Sequence, residues 1–98
     1  MPDKALEQYL ITIKLKPDSA LIRNNLAAVY QALNMSDKAV SELQTVVALK
    51  PNIAEAHFNL GLAYYRMGQM DKARQELTAG LKIKPYDQRA QQLLRNVN

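Results

Sequence analysis

No cysteine occurs among the 98 residues, which excludes disulfides, thiol nucleophiles and thiolate metal sites. No apolar run approaches the roughly 20 residues needed to span a bilayer. The opening "MPDKALEQ" also lacks the basic segment and apolar core of a signal peptide. A cytoplasmic chain that avoids membranes is therefore expected. The single histidine, His57, has no Asp, Glu or second His at metal-ligand spacing on its own helical face, so it reads as a packing residue. Ser19, Ser36 and Ser41 fall in no motif with a plausible base, and the carboxylates are scattered. The three glycines, Gly61, Gly68 and Gly80, build no phosphate loop. These absences predict no catalytic residue, no metal ligand and no cofactor site, hence no enzyme. A net charge of +4 is a mild bias toward acidic partners and too small to announce a nucleic-acid binder.

What the sequence does contain is a period. "DKA" stands at 3–5, 37–39 and 71–73, and "KP" at 16–17, 50–51 and 84–85, each 34 residues apart. Residues 20–53 laid over 54–87 give eleven identical pairs without a gap, among them Asn25/Asn59, Leu26/Leu60, Tyr30/Tyr64, Glu42/Glu76 and Leu43/Leu77. Chance would give about two, so the chain is a stacked array. Its units are expected at 20–53 and 54–87, preceded by the second half of a unit at 3–17 and followed by a capping helix at 88–97, all in one domain.

Each unit reads as two helices. In "AEAHFNLGLAYYRM", Leu60, Gly61 and Tyr64 lie three and four apart along one stripe, and Gly68 follows at the expected stop. Asn34 holds that place one unit earlier, and both residues tolerate the left-handed conformation that ends helices. In "MDKARQELTAGLKI", Ala73, Leu77, Gly80 and Leu81 form the inner face, Asp71 opens the helix, and Pro85 stops it; Pro17 and Pro51 match Pro85. The same logic predicts helices over about 20–33 and 36–49. Asn52 is expected to cap the helix after Pro51, with Glu55 completing a capping box. Ala27 and Gly61 should face Ala39 and Ala73, where only small side chains let the backbones approach. Gly80 shares a column with Thr12 and Val46 and implies a tight contact between units, with contact to a ligand as the alternative. The expected core is Leu26, Leu60, Tyr30, Tyr64, Leu43, Leu77, Val47 and Leu81.

The segments "NLGLAYYRMGQMDKARQELTAGLKIKP" and "NLAAVYQALNMSDKAVSELQTVVALKP" resemble the tetratricopeptide repeat, in their Leu-Gly, Tyr, Gly, Ala and Pro columns. Ala27 and Asn34 replace two of the glycines, and Arg23, His57 and Gln91 replace an early bulky residue. The resemblance implies an all-α fold, a right-handed superhelix of about six helices stacked as antiparallel pairs. It also implies a non-catalytic module that binds a peptide or helix of a protein partner in a concave groove lined by the first helices. The residues expected there are Asn24, Asn25, Ala28 and Gln31, then Phe58, Asn59, Leu62, Tyr65 and Arg66, then Arg89 and Gln92. Leu93 and Asn96 extend the last group. A competing reading packs Phe58 and Leu62 on neighbouring repeats and leaves the asparagines merely solvated. Co-chaperones of this family grip a C-terminal carboxylate with Lys and Asn, then Asn, then Lys and Arg. This sequence offers Asn24 and Ala28, then Asn59, then Arg89 and Leu93, which disfavours a chaperone-tail receptor.

Two other readings remain open. The chain could be the recruiting arm of a larger enzyme, glycosyltransferase-like, or of a bacterial assembly or secretion complex. RNA binding by a related repeat fits less well, because that repeat has a period of 35. Since the "DKA" at residue 3 falls halfway through a unit, the chain is expected to be a piece of something longer. Its first helix would then expose part of Leu6, Tyr9, Leu10 and Ile13, which predicts weak self-association through the N-terminal end or occupation of that end by missing sequence.

Overall fold

Six helices and no strand make up the described residues, 2–16 and 18–98, of the computed structural model. They are α1 (Pro2–Leu15), α2 (Ala20–Ala32), α3 (Ser36–Leu49), α4 (Ala54–Arg66), α5 (Met70–Ile83) and α6 (Gln88–Val97). The expected stop at Pro17 and the side chain of Asp3 lie outside the described residues. The all-α solenoid expected from the period is the observed fold. Helix α2 pairs with α3 and α4 with α5, while α3 also packs on α4 and α5 on α6, so one core runs through the stack. No helix among the described residues is long and apolar enough to cross a membrane.

The turn inside each pair follows from backbone chemistry. Asn34 and Gly68 take φ values of 59° and 77°, as their places at the helix ends require. The reversed chain then returns its N–H groups to the last turn: Met35 N to Tyr30 O at 2.8 Å, and Gln69 N to Tyr64 O at 2.9 Å. The caps at the other end depart from expectation. Helix α4 begins after Ile53, with no side-chain cap, and Glu55 pairs with Lys84 at 3.1 Å instead of closing a box with Asn52. The column of Ile53 is the capping column in the other two units. Ser19 accepts from Ile22 N at 3.3 Å and Asp87 from Ala90 N at 2.9 Å.

Leu26, Leu43, Leu60 and Leu77 are sealed from solvent, each contributing on the order of 2 kcal/mol. Tyr30 and Tyr64 are buried beside them, Val47 and Leu81 are half-buried, and Val46 joins the sealed set in the column that Gly80 occupies one unit later. Lys38 and Lys72 lie over the rings of Tyr30 and Tyr64, at 6.0 and 5.7 Å from their centres. Burial pushes the Tyr30 phenol above its ordinary range, and the Glu42 carboxylate adds to the shift. A Cβ on Gly61 would meet Leu77 Cγ at 2.9 Å and the Ala73 carbonyl at 3.4 Å, so the small column does let α4 and α5 close. In α6 that column holds Arg95, which is exposed.

Gly80 makes its contact inside its own unit, not between units. A Cβ there would strike Phe58, with Cδ1 at 2.6 Å, and press on His57 Cβ at 3.2 Å. The preceding unit fills the same two columns in the opposite sense, with Asn24 in α2 and Val46 in α3. Gly80→Ala should therefore lower stability by about 1–3 kcal/mol despite its better helix propensity. Thermal melting followed by circular dichroism measures this, and an unchanged or higher Tm would refute it. Gly80→Val combined with Phe58→Asn, which copies the preceding unit, should melt above Gly80→Val alone.

Candidate functional site

Helix α4 touches α2 on one side and α6 on the other, which makes two seams along the face of the first-type helices. The α2–α4 seam is closed by polar side chains. Gln31 is buried, and its Nε2 donates to the Asn59 carbonyl at 3.2 Å. Its Oε1 accepts from Arg66 Nη1 at 3.1 Å, and Asn59 Nδ2 reaches Asn24 Oδ1 at 3.4 Å. A hollow of about 410 Å³ remains at the end of this seam, where Leu21, Asn24 and Ile53 meet.

No side-chain hydrogen bond joins α4 to α6 among the described residues, and there the surface opens. The groove encloses about 440 Å³. Phe58, Leu77 and Ala90 form its floor, Leu62 and Leu93 its apolar walls, and Asn59, Gln92, Asn96, Gln88 and Arg89 its polar rim. The sequence explains the difference between seams: the place of Gln31 passes to Tyr65 in α4, and that of Asn59 to Leu93 in α6. The amides that close the first seam are thus missing from the second. Of the acidic groups at the rim, Glu55 is paired with Lys84 and Asp87 is committed to capping α6. Arg89 is exposed, and its guanidinium pairs with no side chain among the described residues.

Phe58, Asn59, Leu62, Arg89 and Gln92 therefore come together in one groove, with Leu93 and Asn96. Asn24, Gln31 and Arg66 belong to the closed seam, Asn25 is half-buried, Ala28 is exposed, and Tyr65 packs half-buried against the core. Only 9% of Phe58 remains exposed, because Gly80 lets the ring sink into the floor. Leu77, Glu55, Asp87 and Gln88 also line the groove. Leu77 was legible only as core, and the other three carry no periodic signal.

The polar column on the opposite edge is structural. Arg23 Nη1 meets Glu42 at 2.7 Å, and His57 Nδ1 lies 3.0 Å from Glu76, the equivalent pair one unit on. His57 Nε2 donates to the Pro51 carbonyl at 2.7 Å, as Gln91 Nε2 does to that of Pro85 at 2.7 Å. Among the described residues, no group of three or more His, Cys, Asp or Glu could hold a metal ion.

The "TPR repeat" family model matches residues 36–68, and the "Tetratricopeptide repeat" model matches 54–87. No curated protein matches the chain. Among solved structures, the first TPR of Spaghetti (RPAP3), bound to HSP90 peptide SRMEEVD, superposes with a TM-score of 0.95 at 23% identity, over 98% of this chain and 76% of that one. The second TPR domain of human RPAP3, in complex with HSP70 peptide SGPTIEEVD, gives 0.92 at 22%, over 98% and 80%. MamA gives 0.94 at 30% identity, over 98% of this chain but 56% of its own. The chain thus spans little more than half of MamA.

Gln31→Ala should release Arg66 and leave the Asn59 carbonyl without its donor, at a cost of about 1–2 kcal/mol. Urea unfolding measures the loss, and a midpoint equal to wild type would show that the seam hydrogen bonds are incidental.

Proposed function

The chain belongs to the tetratricopeptide-repeat family, and from that premise we propose that it is a non-catalytic protein-interaction module whose ligand lies along the α4–α6 groove. The observation that carries this reading is the open seam itself. It has an apolar floor, a rim of amides and one unpaired guanidinium, beside a seam that internal hydrogen bonds keep shut. An apolar anchor of the partner fits over Phe58 between Leu62 and Leu93. Asn59, Gln92 and Asn96 offer donors and acceptors to a peptide main chain. Arg89 favours an acidic residue next to the anchor.

The peptides held by the Spaghetti and human RPAP3 domains are short segments, and a short segment is also what a groove of about 440 Å³ suits. Their shared EEVD ending need not carry over. Asn24 and Leu93 stand where a carboxylate clamp requires basic side chains and Ala28 where it requires asparagine, so only Asn59 and Arg89 have the chemistry for it. An interface this small predicts a Kd in the micromolar range.

Leu62→Asp and Arg89→Glu should each weaken binding of the partner peptide at least about tenfold while leaving the helical spectrum unchanged. These positions report on the groove better than Tyr65, whose ring also supports the core. Calorimetric titration of both variants decides the matter: wild-type affinity in the two would place the ligand elsewhere. The same titration with free-acid and amidated forms of the peptide should give affinities within about threefold of each other, since a lone Arg89 at an exposed rim contributes little to one carboxylate.

A further inference from the structure

Helix α1 rests on α2 and on no other helix among the described residues. Its outer face is more apolar than those of α3 and α5. Ile11 is 55% exposed where they carry Thr45 and Ala79, and Leu15 is 77% exposed where Leu49 and Ile83 are 44% and 39%. Glu7 lies four residues before Ile11 and Lys14 three after it, on the same helical face. Both are exposed, and neither has a partner among the described residues.

We propose that this face seats a second copy of the chain, α1 against α1, antiparallel about a twofold axis. An axis passing between Leu10 and Ile11 brings Glu7 of each copy level with Lys14 of the other, twice per dimer. A parallel arrangement would set Glu7 against Glu7 and Lys14 against Lys14, so charge selects the antiparallel one. Head-to-tail stacking, with α6 of one copy completing a unit with α1 of the next, meets a specific obstacle. Arg95 stands in the column of Ala27 and Gly61, and against Ala5 of another copy it would overpack the contact and lose its water. The antiparallel contact is small. A helix of 14 residues is about 21 Å long, so the buried area falls below the ~1,200 Å² of stable complexes, and the dimer is expected to form near 100 µM, to order of magnitude.

Analytical ultracentrifugation of the full 98-residue chain from roughly 10 µM to 1 mM tests the proposal. The mean mass should climb from monomer toward dimer. Ile11→Asp should raise the midpoint about tenfold or more, and Glu7→Lys or Lys14→Glu alone by about threefold or more. Joining Glu7→Lys and Lys14→Glu in one chain should bring the wild-type midpoint back, and an equimolar mixture of the two single variants should associate more tightly than either does alone. All the substituted residues are exposed, and circular dichroism confirms that each variant keeps its helices. Three results would overturn the proposal: a monomer mass up to 1 mM, association unmoved by Ile11→Asp, or a folded charge-swapped chain that fails to recover.

Discussion

The ring of Phe58 lies where a side chain at position 80 would be, and the form of the groove follows from that exclusion. With glycine in α5, the ring drops between α4 and α5 and closes the core beneath it. The same ring, almost wholly withdrawn from solvent, becomes the apolar floor on which Leu62 and Leu93 stand as walls. Core and groove floor are thus one object, and a change in the packing of α5 alters the depth of the groove. The preceding unit meets the volume constraint differently, with a bulkier Val46 behind and a smaller Asn24 in front. The hollow beside Asn24 is lined by Leu21 and Ile53 and has no aromatic floor.

The two seams show how a repeat becomes asymmetric while its backbone stays periodic. One periodic frame presents Gln31, Asn24 and Arg66 around the first seam and Tyr65, Leu93 and Gln92 around the second. Amides placed opposite one another satisfy each other and shut the surface. Apolar residues placed opposite one another cannot bond and leave a hollow with no internal claim on its rim. Of the two seams, it is the one toward α6 that no side-chain hydrogen bond crosses among the described residues.

The period and the turn residues were legible because they answer to local geometry. Asn34 and Gly68 had to adopt a left-handed backbone, and Ala27, Gly61, Ala39 and Ala73 had to be small, whatever lay beyond them. Features that depend on a distant partner were not legible. Asn52 looked like a cap, yet the capping column is that of Ser19 and Asp87, shifted by one residue. The column of Thr12 and Val46 points Gly80 toward a contact between units, whereas its actual partner, Phe58, carries the pattern of the exposed stripe. Gln31 had the chemistry of a ligand contact, and only the proximity of the Asn59 carbonyl shows it already engaged. His57 lacked a carboxylate on its own face, and Glu76 arrives from the neighbouring helix 19 residues away.

The bridge from α4 to α5 through that imidazole has a practical consequence. The chain has one histidine, and its ring touches the carboxylate of one helix and the carbonyl that ends the previous unit. Its nuclear magnetic resonance signals form an isolated, label-free set, positioned at the contact between α4 and α5. Unfolding of the second unit by denaturant, or repacking that moves α4 against α5, is expected to shift the signals of that single residue.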